Sequence, residues 1–496
     1  MKFRRNAYGL VLGLCGFIFS SMALAGFDEG LVAAQKGDFA TAQREWKPLA
    51  TQGDARAQYN LGHLYKDGEG ISQDYKEAIR LYRLAAAQGL AGAQHSLGEM
   101  FANGQGVPQD YKEAVKWYRL AAAQGFAAAQ LSLGYMFSEG KGVPQDYKEA
   151  VKWCRLAAEK GDATAQYTLG HLYNSGQGVA QDFKDAVNWF QLAATQGKAE
   201  AQFMLGLMYA SGKGVPRDDM EGLKWYRLAA QQGHADAQYT VGHVQFHGNG
   251  VLQNYQEAAK WFRLAAVQGE VRAQAHLGAM YGEGRGVQQD NKESAKWFRL
   301  AAAQGEAVAQ TMLGEIYLAG KGEPQDYKEA ARWFRLAAAQ GEARAQTHLG
   351  SMYDGGRGVQ KDYKESVKWF QLAAAQGHDF GQFGLGLMYF NGSGVSKDYK
   401  EALKWFQLAA AQGLNSAQSI LAAMYANGQG VKKDLVVAYA LFNLTAADDR
   451  SSGNQLTENR NAMAQSMSPK MIEAAQDLTR ELSKPKTFLN ALSRYR

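Results

Sequence analysis

The sequence predicts an all-α protein, a right-handed α/α solenoid of about eleven 36-residue helical hairpins with N- and C-terminal capping helices. Three observations predict it. Nine of the ten Trp stand at 117, 153, 189, 225, 261, 297, 333, 369 and 405, each 36 residues from the next. A glycine keeps the same period from Gly62 through Gly98 to Gly386. The phrase DYKEAVKWYRLAAAQG at 110–125 returns at 146, 326 and 398 with few changes. A 36-residue period lies in the range of helical-hairpin solenoids, whose units are each too small to bury a core alone. One elongated repeat domain therefore replaces the three or four domains that 496 residues would otherwise suggest.

In chain order, residues 1–25 read as a signal peptide. Lys2, Arg4 and Arg5 supply the positive start, Leu10 to Phe19 the apolar run, and Ala23-Leu24-Ala25 a small-residue cleavage site. The apolar run is too short for a membrane span. Leu14 is a poor residue before a lipidated Cys15, and the Arg4-Arg5 pair lacks further twin-Arg context. With no later segment of transmembrane length, the expectation is an exported, soluble chain, periplasmic or secreted, cleaved near Ala25. Cleavage removes three of the 54 Lys and Arg, against 48 Asp and Glu, so the basic balance does not point to nucleic acid. It also leaves a single cysteine, Cys154, in a slot that most copies fill with Tyr or Phe, which reads as a small buried residue. Without a disulfide, stability must come from stacking.

Residues 26–53 read as an N-terminal capping hairpin, with Trp46 one place off the Trp phase. Residues 54–447 hold the repeats. In the copy at 90–125, Ala93, Leu97, Gly98 and Phe101 share one helical stripe. A mid-helix Gly costs up to about 1 kcal/mol relative to Ala, so the recurrence of Gly98 implies close approach of a neighbour, for which Trp117 is the expected partner. Gly104 and Gly106 suit a left-handed cap and tight turn; a phosphate cradle would need a strand before them and a helix directly behind. Asp110 is the expected N-cap of the second helix, with Glu113 three residues on as in a capping box. Ala114, Trp117, Tyr118 and Ala121 form its apolar stripe, and Gly125 stops it. The short links make successive helices antiparallel, stacked into a superhelix with an inner, concave layer and an outer one. Residues 448–496 read as two closing helices and a tail.

The words A-x-x-LG-x-x-Y, G-x-GV and A-x-x-W-[YF]-x-LAA-x-QG, present as AQYNLGHLYKDGEG at 57, AQFMLGLMYASGKGV at 201 and KWFRLAAAQG at 296, resemble the Sel1-like repeat, a relative of the tetratricopeptide repeat. The resemblance implies an adaptor that binds a protein or peptide, in bacterial exported members for envelope assembly, signalling or host contact. Some Cys-rich secreted members carry a penicillin-binding or β-lactamase label and a disulfide in every repeat. This sequence lacks those cysteines.

No HExxH, P-loop, G-x-S-x-G or CxxC occurs, and the one S-x-x-K, Ser483 to Lys486, has no S-D-N or K-T-G partner. The expectation is a non-enzymatic protein without a cofactor and, most simply, a monomer. A cell-wall-active enzyme of the penicillin-binding or β-lactamase kind is the competing class, which a β-lactam assay discriminates. His243 and His247 stand at i, i+4, with His234 and His276 as candidate neighbours; that spacing can share a metal, but no carboxylate or Cys completes a set in sequence, and no metal site is assigned. Lys112, Lys116 and Arg119 form a basic ladder that recurs in most copies, for example as Lys148, Lys152 and Arg155. Interleaved Asp and Glu make it a solvated, partly ion-paired face, with binding of acidic envelope polymers as the alternative.

The informative positions vary between copies while the frame holds. They lie on the first helix and predict a partner-binding concave face of exposed aromatics with His and Glu: Tyr59, His63, His95, Glu99, Tyr135, Tyr167, His171, Phe203, Tyr239, His243, Glu315 and Phe383. Drift at unconstrained positions would produce the same variation.

Overall fold

In a computed structural model, the structure describes residues 21–448, 455–484 and 487–494. Of the expected signal peptide, residues 1–25, the first twenty, with Cys15, lie outside the described residues. Among the described residues there are 27 helices and no strand. Two compact units divide the chain, residues 1–241 and 242–496, the second taking the Gly242–His247 end of the helix Ala235–His247.

Within each unit one hairpin repeats, and the copy at 91–123 shows why. Its first helix, Ala91–Asn103, buries Ala93, Leu97 and Met100 on one stripe. It ends at Gly104, whose left-handed φ of +67° lets its N–H donate to the Met100 carbonyl. Gly106, also left-handed, sits where a Cβ would fall 2.5 Å from the Cβ of Tyr75 in the preceding copy, so the second glycine of the pair allows the turn to close on its neighbour. The second helix, Tyr111–Ala123, opens on Asp110, whose side chain accepts from the Glu113 N–H at 3.0 Å. The return half of the expected capping box is not made. The Asp110 N–H is already given to the Phe101 carbonyl at 2.9 Å, and the Glu113 carboxylate pairs with Lys116 at 2.6 Å.

The second helix corrects the expected partner of Gly98. Its buried aromatic is Tyr118, one residue after the Trp, and that ring fills the space over the glycine. The pairing recurs as Gly62 on Tyr82, Gly170 on Phe190 and Gly314 on Phe334. Trp46 is 36 residues before Tyr82, so it occupies this slot, buried with its Nε1 donating to the Phe27 carbonyl at 3.2 Å. Trp117 is half-buried and packs instead on a core shared between the preceding copy and its own, with Ala78 and Tyr82 from the one and Leu97 from the other. The Trp series thus joins neighbours, while Tyr118 and its equivalents fill each hairpin. Each such burial contributes roughly 1.5–3 kcal/mol.

A ladder of glutamines, one buried and one exposed in each pair, links successive copies. Gln94 Nε2 donates to the Ala86 carbonyl at 3.3 Å, and Gln94 Oε1 accepts from Gln124 Nε2 at 2.8 Å. At the end of the second unit, Leu441, Met424, Leu478 and Leu482 share a core with Phe488 and Leu492. The last two come from a third helix, Phe488–Arg494, in what the sequence alone reads as a tail.

Candidate partner-binding face

The twelve residues expected to read a partner all lie on first helices. Only Tyr135 is exposed, at 47 % of its surface; the other eleven are half-buried. The covering groups come from their own hairpin and the neighbouring copy. Tyr59 and His63 meet edge-on at 4.6 Å between ring centroids and both lie against Tyr82. Tyr167, His171 and Phe190 repeat the arrangement. His95 lies against Tyr118 and Phe126, with Nε2 3.1 Å from Ser132 Oγ, and Glu99 is 4.0 Å from Lys66. Phe203 stacks on His234 at 4.8 Å, and Phe383 packs on Phe406. Tyr239 is half-buried on its helix. Glu315 is held by Arg344 at 2.6 Å and by His348 at 2.9 Å. His243 lies beside His247 and faces His276.

Burial sets the charge state of this face. His63 is pulled down to about 4 by desolvation, with Lys66 and His95 adding to the effect. Desolvation likewise lowers His95 and His171. These imidazoles are therefore neutral near pH 7 and offer one donor and one acceptor each.

One depression brings two of the expected residues together. It encloses about 480 Å³ and is lined by Glu99, Tyr118, Leu131, Ser132, Tyr135 and Lys141. Lys141 Nζ donates to the Tyr135 hydroxyl at 2.8 Å and lies 4.8 Å from the centre of that ring, which fixes the exposed aromatic at the rim.

The outer ladder is ion-paired at i, i+3: Lys152 with Glu149 at 3.1 Å, Lys224 with Glu221 at 2.6 Å and Lys368 with Glu365 at 2.6 Å. Arg155, the third rung of its copy, donates to the Tyr173 hydroxyl at 2.5 Å. Beside it, the leucine of each LAA phrase stays exposed, as at Leu120 and Leu192, which the sequence alone did not single out. Cys154 is buried against Gly134, and burial pushes its thiol up to about 12, so it is an unreactive packing residue. Ser483 Oγ donates to the Thr479 carbonyl at 2.8 Å, while Lys486 lies outside the described residues. Among the described residues no helix is long and apolar enough to cross a membrane.

The family model for the Sel1 repeat matches eleven consecutive segments, 55–90, 91–126, 127–162, 163–198, 199–234, 235–270, 271–306, 307–342, 343–378, 380–414 and 415–449. A protective antigen present in uropathogenic Escherichia coli strains, displaying an SLR fold, is 37% identical in sequence. It aligns over 91% of this chain and 96% of its own with a TM-score of 0.80. A Sel1 repeat protein from Oxalobacter formigenes is 34% identical over 50% of this chain and 97% of its own, with a TM-score of 0.46. No curated protein matches.

Proposed function

This chain belongs to the Sel1-repeat family, and from that premise we propose that it is a non-enzymatic exported adaptor that grips a protein or peptide segment along its first helices. The observation that carries the reading is the depression beneath Tyr135. Tyr118 and Leu131 line it below the exposed Tyr135 at its rim, and Glu99, Ser132 and Lys141 add charge and hydrogen-bonding capacity. Buried aromatic anchors ringed by polar groups concentrate binding energy in protein interfaces. The supporting rings are already packed, so little side-chain entropy is lost on binding. Export rests on the sequence of residues 1–25, and the likeness to a protective antigen supports a role in the envelope or in host contact.

The test compares two surfaces. The purified chain is used to retain partners from an envelope extract, alongside a Tyr135→Ala, Tyr167→Ala, His171→Ala variant and a Lys116→Ala, Lys152→Ala, Arg119→Ala control. The first variant is expected to lose partner retention by roughly 30-fold or more, the loss of one strong anchor. The control is expected to retain it. Loss confined to the control would place binding on the outer helices and overturn the proposal.

A further inference from the structure

His243 and His247 stand one turn apart near the end of the helix Ala235–His247, with ring centroids 4.3 Å apart. His276, from the first helix of the next copy, Val271–Glu283, meets His243 edge-on at 6.0 Å. One ring nitrogen of each lies within 4.8 Å of the other two. Among the described residues no other trio of His, Cys, Asp or Glu side chains converges in this way. We propose that His243, His247 and His276 bind a divalent transition-metal ion of the zinc class, with water completing the coordination.

Three features support the site. The first is register. His243 and His276 occupy the positions that Glu315 and His348 hold two copies later, where the two side chains meet at 2.9 Å. The contact between neighbouring first helices therefore belongs to the repeat frame. The second is the tautomer of His276. Its Nδ1 lies 2.8 Å from the Arg272 carbonyl, an atom that can only accept, so Nδ1 carries the hydrogen and Nε2 the lone pair. A backbone carbonyl behind the ring is the usual outer partner of a metal-bound histidine.

The third is the setting. Phe262 packs on His276 at 4.8 Å, and Phe246 touches both His276 and His247, which holds the rings in place. His243 and His276 are half-buried while His247 is exposed, which leaves a path for the ion and its water. The charged groups facing the trio are Arg272 and Glu270, and these two pair with each other at 2.5 Å, so the arginine's repulsion of a cation is offset. Three imidazoles suit Zn²⁺, Co²⁺, Ni²⁺ or Cu²⁺ and not the oxygen-seeking Ca²⁺ or Mg²⁺. Bonds of about 2.0–2.1 Å set ligand nitrogens about 3.3 Å apart around a tetrahedral ion, within reach of small side-chain rotations.

The experiment titrates Zn²⁺ into the metal-free full chain by calorimetry and follows Co²⁺ by its visible absorption, with Ca²⁺ as the contrast. One Zn²⁺ per chain is expected, an intense Co²⁺ band of a low-coordinate nitrogen site, and no Ca²⁺ binding. His247→Ala and His276→Ala are each expected to weaken Zn²⁺ by more than the roughly 100-fold that an outer partner can cost. His171→Ala should leave it unchanged. Because His247 is exposed, His247→Ala keeps the test decisive if His276→Ala fails to fold. Absence of Zn²⁺ binding, or undiminished binding by a His247→Ala variant with unaltered circular dichroism, would overturn the proposal.

Discussion

Gln130 shows what a single side chain does in this frame, because its copy departs from the pattern of its neighbours. In other copies the buried Gln accepts from a second Gln thirty residues on: Gln166 from Gln196 at 2.8 Å, Gln202 from Gln232 at 2.7 Å, Gln346 from Gln376 at 2.9 Å. Position 160 holds Lys instead of Gln, and Gln130 Oε1 is left buried without a partner. Lys160 Nζ turns to the Gly125 carbonyl. Gln376 and Gln412 reach the equivalent carbonyls of Gly341 and Gly377 at 2.9 Å while also serving the buried amide. Lys160→Gln should therefore make both bonds and raise stability by about 1 kcal/mol. Urea unfolding checks this: the midpoint should rise at constant slope. An unchanged or lower midpoint would contradict it. The recurrence of the first Gln in every copy was visible in the sequence, but recurrence alone did not reveal a buried amide bonded to a second Gln, since Gln is ordinarily a surface residue.

On the scale of a helix, periodicity made the element types, caps and stops legible. Asp110 as cap, Gly104 as stop and the antiparallel hairpin all follow from residue chemistry at fixed offsets. The partner of the recurring glycine was less legible. Trp117 and Tyr118 are both bulky, and a step of one residue turns a helix by about 100°, so neighbouring rings point to different hairpins. The structure assigns the glycine to the second ring. Gly170→Ala would bring its Cβ to 2.7 Å from Phe190, an overpacking worth roughly 1–3 kcal/mol of destabilisation that exceeds the helix-propensity gain of up to about 1 kcal/mol. Gly355→Ala, at the end of Ala343–Gly355, meets nothing nearer than the Arg357 side chain at 3.6 Å. It should stabilise by about 0.4–1 kcal/mol. Shifts of the same sign in the two denaturation curves would refute this account of the glycine.

Across the whole molecule, the fold was readable because each copy repeats the same local instructions and stability is a sum of hairpins and nearest-neighbour contacts. The face was readable only as a set of positions. Whether Tyr59 or His171 is covered depends on Tyr82 and Phe190 from the second helix of the same hairpin, and the spacing along the sequence does not by itself say which ring of that helix turns towards them. His276 was legible only as one candidate neighbour of His243, because their contact joins two successive copies. The constant frame packs the hairpins, and the central claim is that the variable first-helix face does the binding.

Hydrogen–deuterium exchange of the full chain, with and without its captured partner, tests that claim most directly. The account predicts slowed exchange in Ala127–Glu139 and Ala163–Ser175, with Tyr147–Ala158 unchanged. Protection of Tyr147–Ala158 while both first helices exchange as in the free chain would contradict it.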